Sequence, residues 1–508
     1  MRLLAGSILI VLLASAAHSQ TDLWYRELPR YGQIYDPPSG FALMLGDVDR
    51  DGDLDLLVAN SATVSPCRKR LYLNDDHGHF TDVTTTHLPP EPSTHGYFTA
   101  MFVDVDRDGD LDAFFPSFSA LSPQDELYLN DGTGHFSDVT TTHLPIDTER
   151  DSWADVGDMN GDGWPDLVVV SMDQNFKTNH IWLNDRTGKF VRKPAAAFDQ
   201  VPMRSVAVGD VDGDGDRDIA GVYLAWQLLF LNDGNANFTD ATFTHLPPAT
   251  GIGNGIIFLD SDKDGDLDIL KSSGGQSVMS LLQNDGTGHF TDVTNTHILT
   301  SQVGPTEAAR VADVNGDGWP DLILPNVTVL RVGNIEIPRI LMNTGNGKFV
   351  DNRNLGDGEQ GIGGVAVGDI DGDGDPDVVT GNSYYFQHYE RFFFNLHHQL
   401  YAPNPAQIGK LWPLEISHVA GQQVALLGLS GGTGKVQVPP LGSFRLDLTQ
   451  LVVLPAIQLG SGTRTTLNLQ VPADARLVGA DLYCQAAVFD LTLPDRSRFT
   501  NVIQERIQ

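Results

Sequence analysis

The stretch DVDRDGDLD stands at residues 47–55 and again, letter for letter, at 104–112, and related runs begin at Asp158, Asp210, Asp260, Asp313 and Asp369. Seven copies spaced 50–57 residues apart constrain the fold more than any other feature, because each unit must bury its apolar residues against its neighbours. A short apolar stretch precedes each run, such as FALML, TAMFV or RSVAV, and another follows, such as LLVA, AFFP or LVVV. Two strands of that length around an acidic turn make an antiparallel hairpin. A second hairpin signal comes later in each unit, as LYLNDDHGHFTDVT from Leu71, LYLNDGTGHFSDVT from Leu127 and LLQNDGTGHFTDVT from Leu281. Two hairpins in about 50 residues make one propeller blade, so residues 20–400 are expected to form an all-β, seven-bladed β-propeller.

The two ends of the array complete each other. In the seventh copy, FFFNLHHQLYAP lacks the Asp-Gly turn, whereas DLWYRELPRYGQ near the N-terminus matches the segment that elsewhere ends the hairpin. The first strand of the mature chain is therefore expected to complete the last blade and remove its open edge. After residue 400 the repeats stop. Stretches such as QVALLGL, FRLDL and RLVGADLYCQAAVF, separated by turn signals, predict a β-sandwich over residues 401–508.

Residues 1–19 read as a signal peptide, with Arg2, an apolar run from Ile8 to Leu13 and small residues near Ala17 and Ser19. That run falls short of the ~20 residues a membrane span needs, and no later segment reaches it. The mature chain is therefore expected to be secreted or at the cell surface, and monomeric. Cys67 and Cys484 are too few for a disulfide framework and read as isolated thiols. A formal charge of −34 excludes nucleic acid as a partner, since phosphate binding needs clustered Lys and Arg.

Aligned, the seven runs share the pattern Asp, x, Asp or Asn, x, Asp, Gly, x, x, Asp. The candidate metal residues are Asp47, Asp49, Asp51, Asp53 and Asp55; Asp104, Asp106, Asp108, Asp110 and Asp112; Asp158, Asn160, Asp162, Trp164 and Asp166; and Asp210, Asp212, Asp214, Asp216 and Asp218. The remaining loops supply Asp260, Asp262, Asp264, Asp266 and Asp268; Asp313, Asn315, Asp317, Trp319 and Asp321; and Asp369, Asp371, Asp373, Asp375 and Asp377. Alternate side chains on a tight turn point inward and offer oxygen to one hard cation, and calcium suits such a flexible cage. Glycine at the sixth place permits the turn. The seventh residue lends its main-chain carbonyl, which explains how Trp164 and Trp319 are accepted there. An EF-hand would need a carboxylate at the twelfth place and helical flanks. Here the twelfth residues are Val58, Phe115, Val169, Gly221, Lys271, Leu324 and Thr380, and the flanks alternate as strands.

The DxDxDGxxD loop followed by an LNDGxGxF hairpin resembles the FG-GAP/VCBS repeat, which builds the seven-bladed propeller of integrin alpha chains and of many secreted bacterial proteins. The resemblance covers residues 22–395. It implies about seven structural calcium ions, each held by the first, third, fifth and ninth side chains of a loop. The chain as a whole reads as an extracellular binding or adhesion scaffold, its partner an unidentified protein or glycan, and, with no catalytic motif in the sequence, not as an enzyme. The alternative is a carbohydrate-active protein, either a lectin-like binder or a polysaccharide lyase.

Other signals carry less. GLSGG at 428–432 imitates a nucleophile elbow around Ser430, but no His follows His418, and the segment reads as a Gly-rich turn. SGGTGK, ending at Lys435, lacks the first Gly and the final Ser or Thr of a phosphate loop. Histidines in THLP (His87, His143, His245) and GHF (His79, His135, His289) recur one per unit, too dispersed for one metal cluster. Tyr384, Tyr385, Phe386 and Tyr389 form an aromatic group whose expected role is packing against the closing strand.

Overall fold

The computed structural model describes residues 25–27, 40–60, 69–75, 78–90, 96–119, 123–171, 179–249, 251–273, 279–299, 309–325, 339–354, 362–382 and 391–395, and most strands between 400 and 507. Among the described residues the repeats form seven antiparallel four-stranded sheets. Sheet 1 runs Gly40–Gly46, Asp55–Asn60, Lys69–Leu73 and Thr81–Asp82, and sheets 2 to 6 repeat that order. Sheet 7 takes three strands from its own repeat, Ile362–Gly368, Asp377–Asn382 and Arg391–Asn395. Its fourth strand is Tyr25–Glu27, with Tyr25 opposite Asn395 and Glu27 opposite Phe393. The N-terminal strand thus closes the last blade, as its sequence implies. The signal segment, Cys67 and the aromatic group from Tyr384 to Tyr389 lie outside the described residues.

The apolar strand residues pack between sheets. Seven separate buried clusters each draw on two consecutive sheets, and one joins sheet 7 to sheet 1 through Ala366, Ile370, Val379 and Phe392 against Leu43, Leu56, Val58 and Tyr72. Each seam is therefore a small core of its own, and the seven seams close on themselves. Approach at a seam is tight where the first strand ends. A Cβ on Gly209 would stand 2.6 Å from Leu267 Cδ1, which is why glycine precedes the acidic run there.

A belt of hydrogen bonds runs through the same seams. The ninth aspartate of each loop (Asp55, Asp112, Asp166, Asp218, Asp268, Asp321 and Asp377) is buried. One of its oxygens accepts the N–H of the loop's second residue, at 2.9–3.1 Å. The other accepts the N–H of the Asn that ends the third strand (in sheet 1, the residue directly after it), at 2.7–2.9 Å. That Asn (74, 130, 184, 232, 284, 343 or 395) then donates its side-chain amide to the second-residue carbonyl of the preceding sheet's loop, at 2.7–2.9 Å. Asn74 of sheet 1 reaches Ile370 of sheet 7. The belt has seven links and no end.

One feature departs from the expected strand pairs. The segment after the second hairpin winds into a single helical turn, at Thr84–His87, Thr140–His143, Thr242–His245 and Thr294–His297. The aspartate two residues before the first threonine accepts that threonine's N–H at 2.9–3.0 Å, and the threonine hydroxyl accepts an N–H of the third strand. Side-chain acceptors of this kind draw Asp and Thr out of extended structure.

Beyond residue 400 the strands form separate sheets around one core that includes Trp412, Leu414, Leu427, Leu467 and the buried Cys484. Leu400–Tyr401 already pairs with Leu411–Ser417 in this unit. Ser430 ends the strand Gln423–Ser430, and Thr433–Val438, which contains Lys435, is the next described strand. GLS is therefore strand, not the turn expected from its glycines, and a nucleophile elbow would need a helix after it.

Candidate functional site

Each acidic loop joins the first strand of a sheet to the second. Strands alternate in direction, so all seven loops and the Asn-Asp-Gly turns lie at one end of the sheets. The links between the second and third strands, and between sheets, lie at the other. Within a loop the sixth glycine adopts φ between 86° and 97°, a region closed to most residues. Residues at the fourth place also have positive φ, including Arg50, Arg107 and Lys263.

The turn is held by its own aspartates. The first one accepts the sixth residue's N–H through Oδ2, at 2.7–3.2 Å in six loops. The third and fifth accept N–H groups two residues on, as at Asp51, Asp108 and Asp214. In the loops at Asp47, Asp104 and Asp260 this leaves an oxygen of the first aspartate without a hydrogen bond. The carboxylates converge within 4.8 Å as Asp47, Asp49 and Asp55; Asp104, Asp106 and Asp108; Asp210, Asp212 and Asp218; and Asp260, Asp262 and Asp264. Oδ1 of Asp47, Asp104 and Asp260 is buried with no hydrogen bond. A buried oxygen of this kind is costly unless a cation meets it. The donors present therefore fit a hard divalent ion.

Electrostatics point the same way. Burial first, and then the neighbouring carboxylates, pushes Asp55, Asp112, Asp218 and Asp321 up to about 7 and Asp166 and Asp268 to about 6, against the pull of their N–H donors. In the seventh loop burial, and then the neighbouring carboxylates, raises Asp373 and Asp377 well above the ordinary carboxylate value, and Asp371, Asp373, Asp375 and Asp377 are all buried.

The two Asn-containing loops differ. Both oxygens of Asp158 and of Asp313 accept loop N–H groups, and Asn315 donates to Asp317. Asp162 is further engaged by the Arg186 guanidinium at 3.0 Å. Asp210 likewise accepts the Gly213 and Gly215 N–H groups through its two oxygens, so what sets these two loops apart is the neutral Asn at the third place.

In five of the loops the side chain at the seventh place contacts a neighbouring turn or loop. The Asp216 and Asp266 carboxylates lie against Gly234 and Gly286 of the adjacent turn, and Asp110 pairs with Arg50 of the preceding loop. Arg107 lies 5.3 Å over the Trp164 ring and Lys263 lies 5.5 Å over the Trp319 ring. A basic fourth residue therefore covers the next loop, an inter-sheet contact that spacing within one repeat does not reveal.

The histidines are less dispersed than their spacing implies. His87 stacks on His135 at 3.9 Å, and His245 on His289 at 4.0 Å, each pair crossing a seam. Desolvation, and then the partner ring, holds His87 and His245 below the ordinary imidazole value. Sequence reasoning also passed over Asp125, Asp147, Asp151 and His180, which the fold gathers at the end opposite the acidic loops.

An FG-GAP-like repeat model matches residues 36–115, 118–169, 158–221, 272–324 and 329–380. No curated protein matches. Among solved structures, an Agrocybe aegerita lectin specific for non-reducing terminal N-acetylglucosamine aligns at 18% identity, over 61% of this chain and 78% of that one, with a TM-score of 0.39. BBS1N in complex with ARL6DN, from a crystal soaked with lead, aligns at 12% identity over 73% of this chain and 97% of that one, with a TM-score of 0.46. The matched repeats together span more than half of the sequence, and the chain belongs to the FG-GAP-like repeat family of β-propeller proteins.

Proposed function

We propose that this protein is an exported binding scaffold whose acidic loops are stapled by calcium and whose ligand engages the opposite end. The observation that carries the calcium reading is the inward, buried Oδ1 of Asp47, Asp104 and Asp260, each facing other carboxylates with no hydrogen bond. Oxygen-only donors on a flexible turn favour calcium over the smaller, more exacting magnesium. The loops vary little, as suits a staple, and recognition is left to surfaces that differ between sheets. Export rests on the reading of residues 1–19. Among the described residues no helix is long and apolar enough to cross a membrane.

At the opposite end, Leu224, Trp226 and Ile252 are exposed, and Gly253 donates to the Leu224 carbonyl, which gathers the three at one seam. An exposed aromatic beside aliphatic groups suits a binding surface. The test is a protein and glycan array probed with calcium present. We expect a ligand that Trp226→Ala weakens at least tenfold while calcium uptake and the melt stay unchanged. A ligand that is lost when a loop aspartate is replaced, yet unaffected by Trp226→Ala, would move the binding surface to the acidic end. Turnover of a polysaccharide by the purified protein would overturn the scaffold reading.

A further inference from the structure

The link between sheets 2 and 3 carries a second acidic group unrelated to the repeats. Asp125 precedes the third strand of sheet 2, Glu126–Asn130. Asp147 lies in the link, Asp151 begins Asp151–Gly157, and His180 begins His180–Asn184. All four are buried, and Asp125 and Asp151 have no exposed surface. One oxygen of Asp147, one of Asp151 and a ring nitrogen of His180 lie within 4.8 Å of one another.

Ordinary partners do not account for this arrangement. Both Asp151 oxygens, Oδ2 of Asp125 and of Asp147, and both His180 nitrogens make no hydrogen bond. The groups facing Asp151 are the carboxylates of Asp125 and Asp147, which have no proton to give when ionised. Arg150 turns its guanidinium elsewhere, onto the Phe118 ring and its carbonyl. His180 Nε2 stands 3.5 Å from Asp147 Oδ2, an ion-pair distance when the imidazole is protonated and too long for a well-formed hydrogen bond, which leaves both Asp151 oxygens unaccounted for. Two donors on a tetrahedral ion at ~2.1 Å are ~3.4 Å apart, so that separation suits a shared cation.

We propose that Asp147, Asp151 and His180, with Asp125 beside them, hold one divalent transition-metal ion of the zinc or manganese class. An imidazole among carboxylates selects such an ion over calcium, which takes oxygen donors. The buried position, with no open surface at Asp125 or Asp151, makes the ion structural, tying the link to the strands on either side. This inference stands apart from the calcium reading, since none of its ligands belongs to an acidic loop.

The test uses the full chain, stripped with chelator and returned to buffer with ~1 mM calcium, so that calcium occupies the loops. Cobalt(II) is then titrated, followed by zinc(II). We expect one cobalt ion per chain with visible absorption bands, resistant to calcium and displaced by zinc. Asp151→Asn and His180→Gln should each weaken uptake at least tenfold, whereas Asp240→Asn, at an exposed aspartate outside both sites, should leave it unchanged. His180→Cys should retain the ion and add the near-ultraviolet charge-transfer band of a thiolate ligand. Absence of the cobalt bands in the wild-type protein overturns the proposal, even if the variants fail to fold. So does uptake undiminished in both Asp151→Asn and His180→Gln, because a proton shared among the carboxylates would then explain the cluster.

Discussion

At the residue scale, several buried charges have specific structural causes. Lys69 is buried against Glu126, donates to the Tyr97 and Tyr128 hydroxyls at 2.9 and 3.0 Å, and lies over the Phe115 ring at 4.5 Å. Removing one partner of such a pair leaves the other charge uncompensated. Glu126→Gln should therefore cost ~3–5 kcal/mol in urea unfolding, with much of it recovered in Lys69→Met/Glu126→Gln. Asp155 gives a pH dependence. It accepts the Val208 and Val156 N–H groups, yet burial raises it to about 6. Between its ordinary value of 3.8 and about 6, the folded chain holds a proton that the unfolded chain has lost, so stability falls as pH rises through that window. Asp155→Asn removes this loss. The wild type should give up ~3 kcal/mol relative to the variant between pH 4 and 7, and parallel stability curves for the two would refute the assignment.

At the element scale, the loops should not fill equally. Those beginning at Asp158 and Asp313 have a neutral Asn at the third place, which lowers the ligand charge, and Arg186 occupies an oxygen of Asp162. The loop at Asp369, with four buried aspartates, has the most to gain from a cation. Crystals grown across a calcium series should show the Asp369 loop filled first and the two Asn-containing loops last. The repeats were legible because each loop and each turn is written in residues whose side chains act on nearby backbone. The Asn of the belt was legible in principle, since FFFN in the seventh copy keeps Asn395 after losing the Asp-Gly turn that elsewhere follows it. Its partner, a carbonyl 73–82 residues earlier in the chain or, for Asn74, 296 residues later, was not. The helical turns were hidden because TDVTTTH alternates like a strand until Asp and Thr bond the backbone. The Asp125–His180 group has no spacing to read, being assembled from four separate places.

For the whole molecule, calcium removal and ring closure are the decisive perturbations. Seven occupied sites with constants near 0.1 mM would each add ~1.4 kcal/mol at ~1 mM calcium. Chelation should lower the melting temperature by many degrees, and an unchanged melt would contradict the staple. Deleting residues 22–35 removes Tyr25–Glu27 and leaves the Arg391–Asn395 edge unpaired. Aggregation is expected on a sizing column, whereas deletion of 402–508 should leave a monodisperse propeller.

The belt has a topological consequence. Because Tyr25–Glu27 belongs to sheet 7 and the chain then passes to sheet 1, every seam, including that between sheets 7 and 1, is crossed by covalent backbone. The break in the polypeptide falls inside a sheet, between strands paired at Tyr25 and Asn395, and the Asn74–Ile370 link is chemically equivalent to its six counterparts. The ring has no privileged starting blade. A circular permutant of the propeller alone, joining residue 395 to residue 25 through a short turn and opening instead at the Asp185–Gly188 turn, keeps all seven seams and every link of the belt. Where the ring is cut is thus a matter of indifference to its packing, and the propeller is cyclic in everything but its covalent bonds.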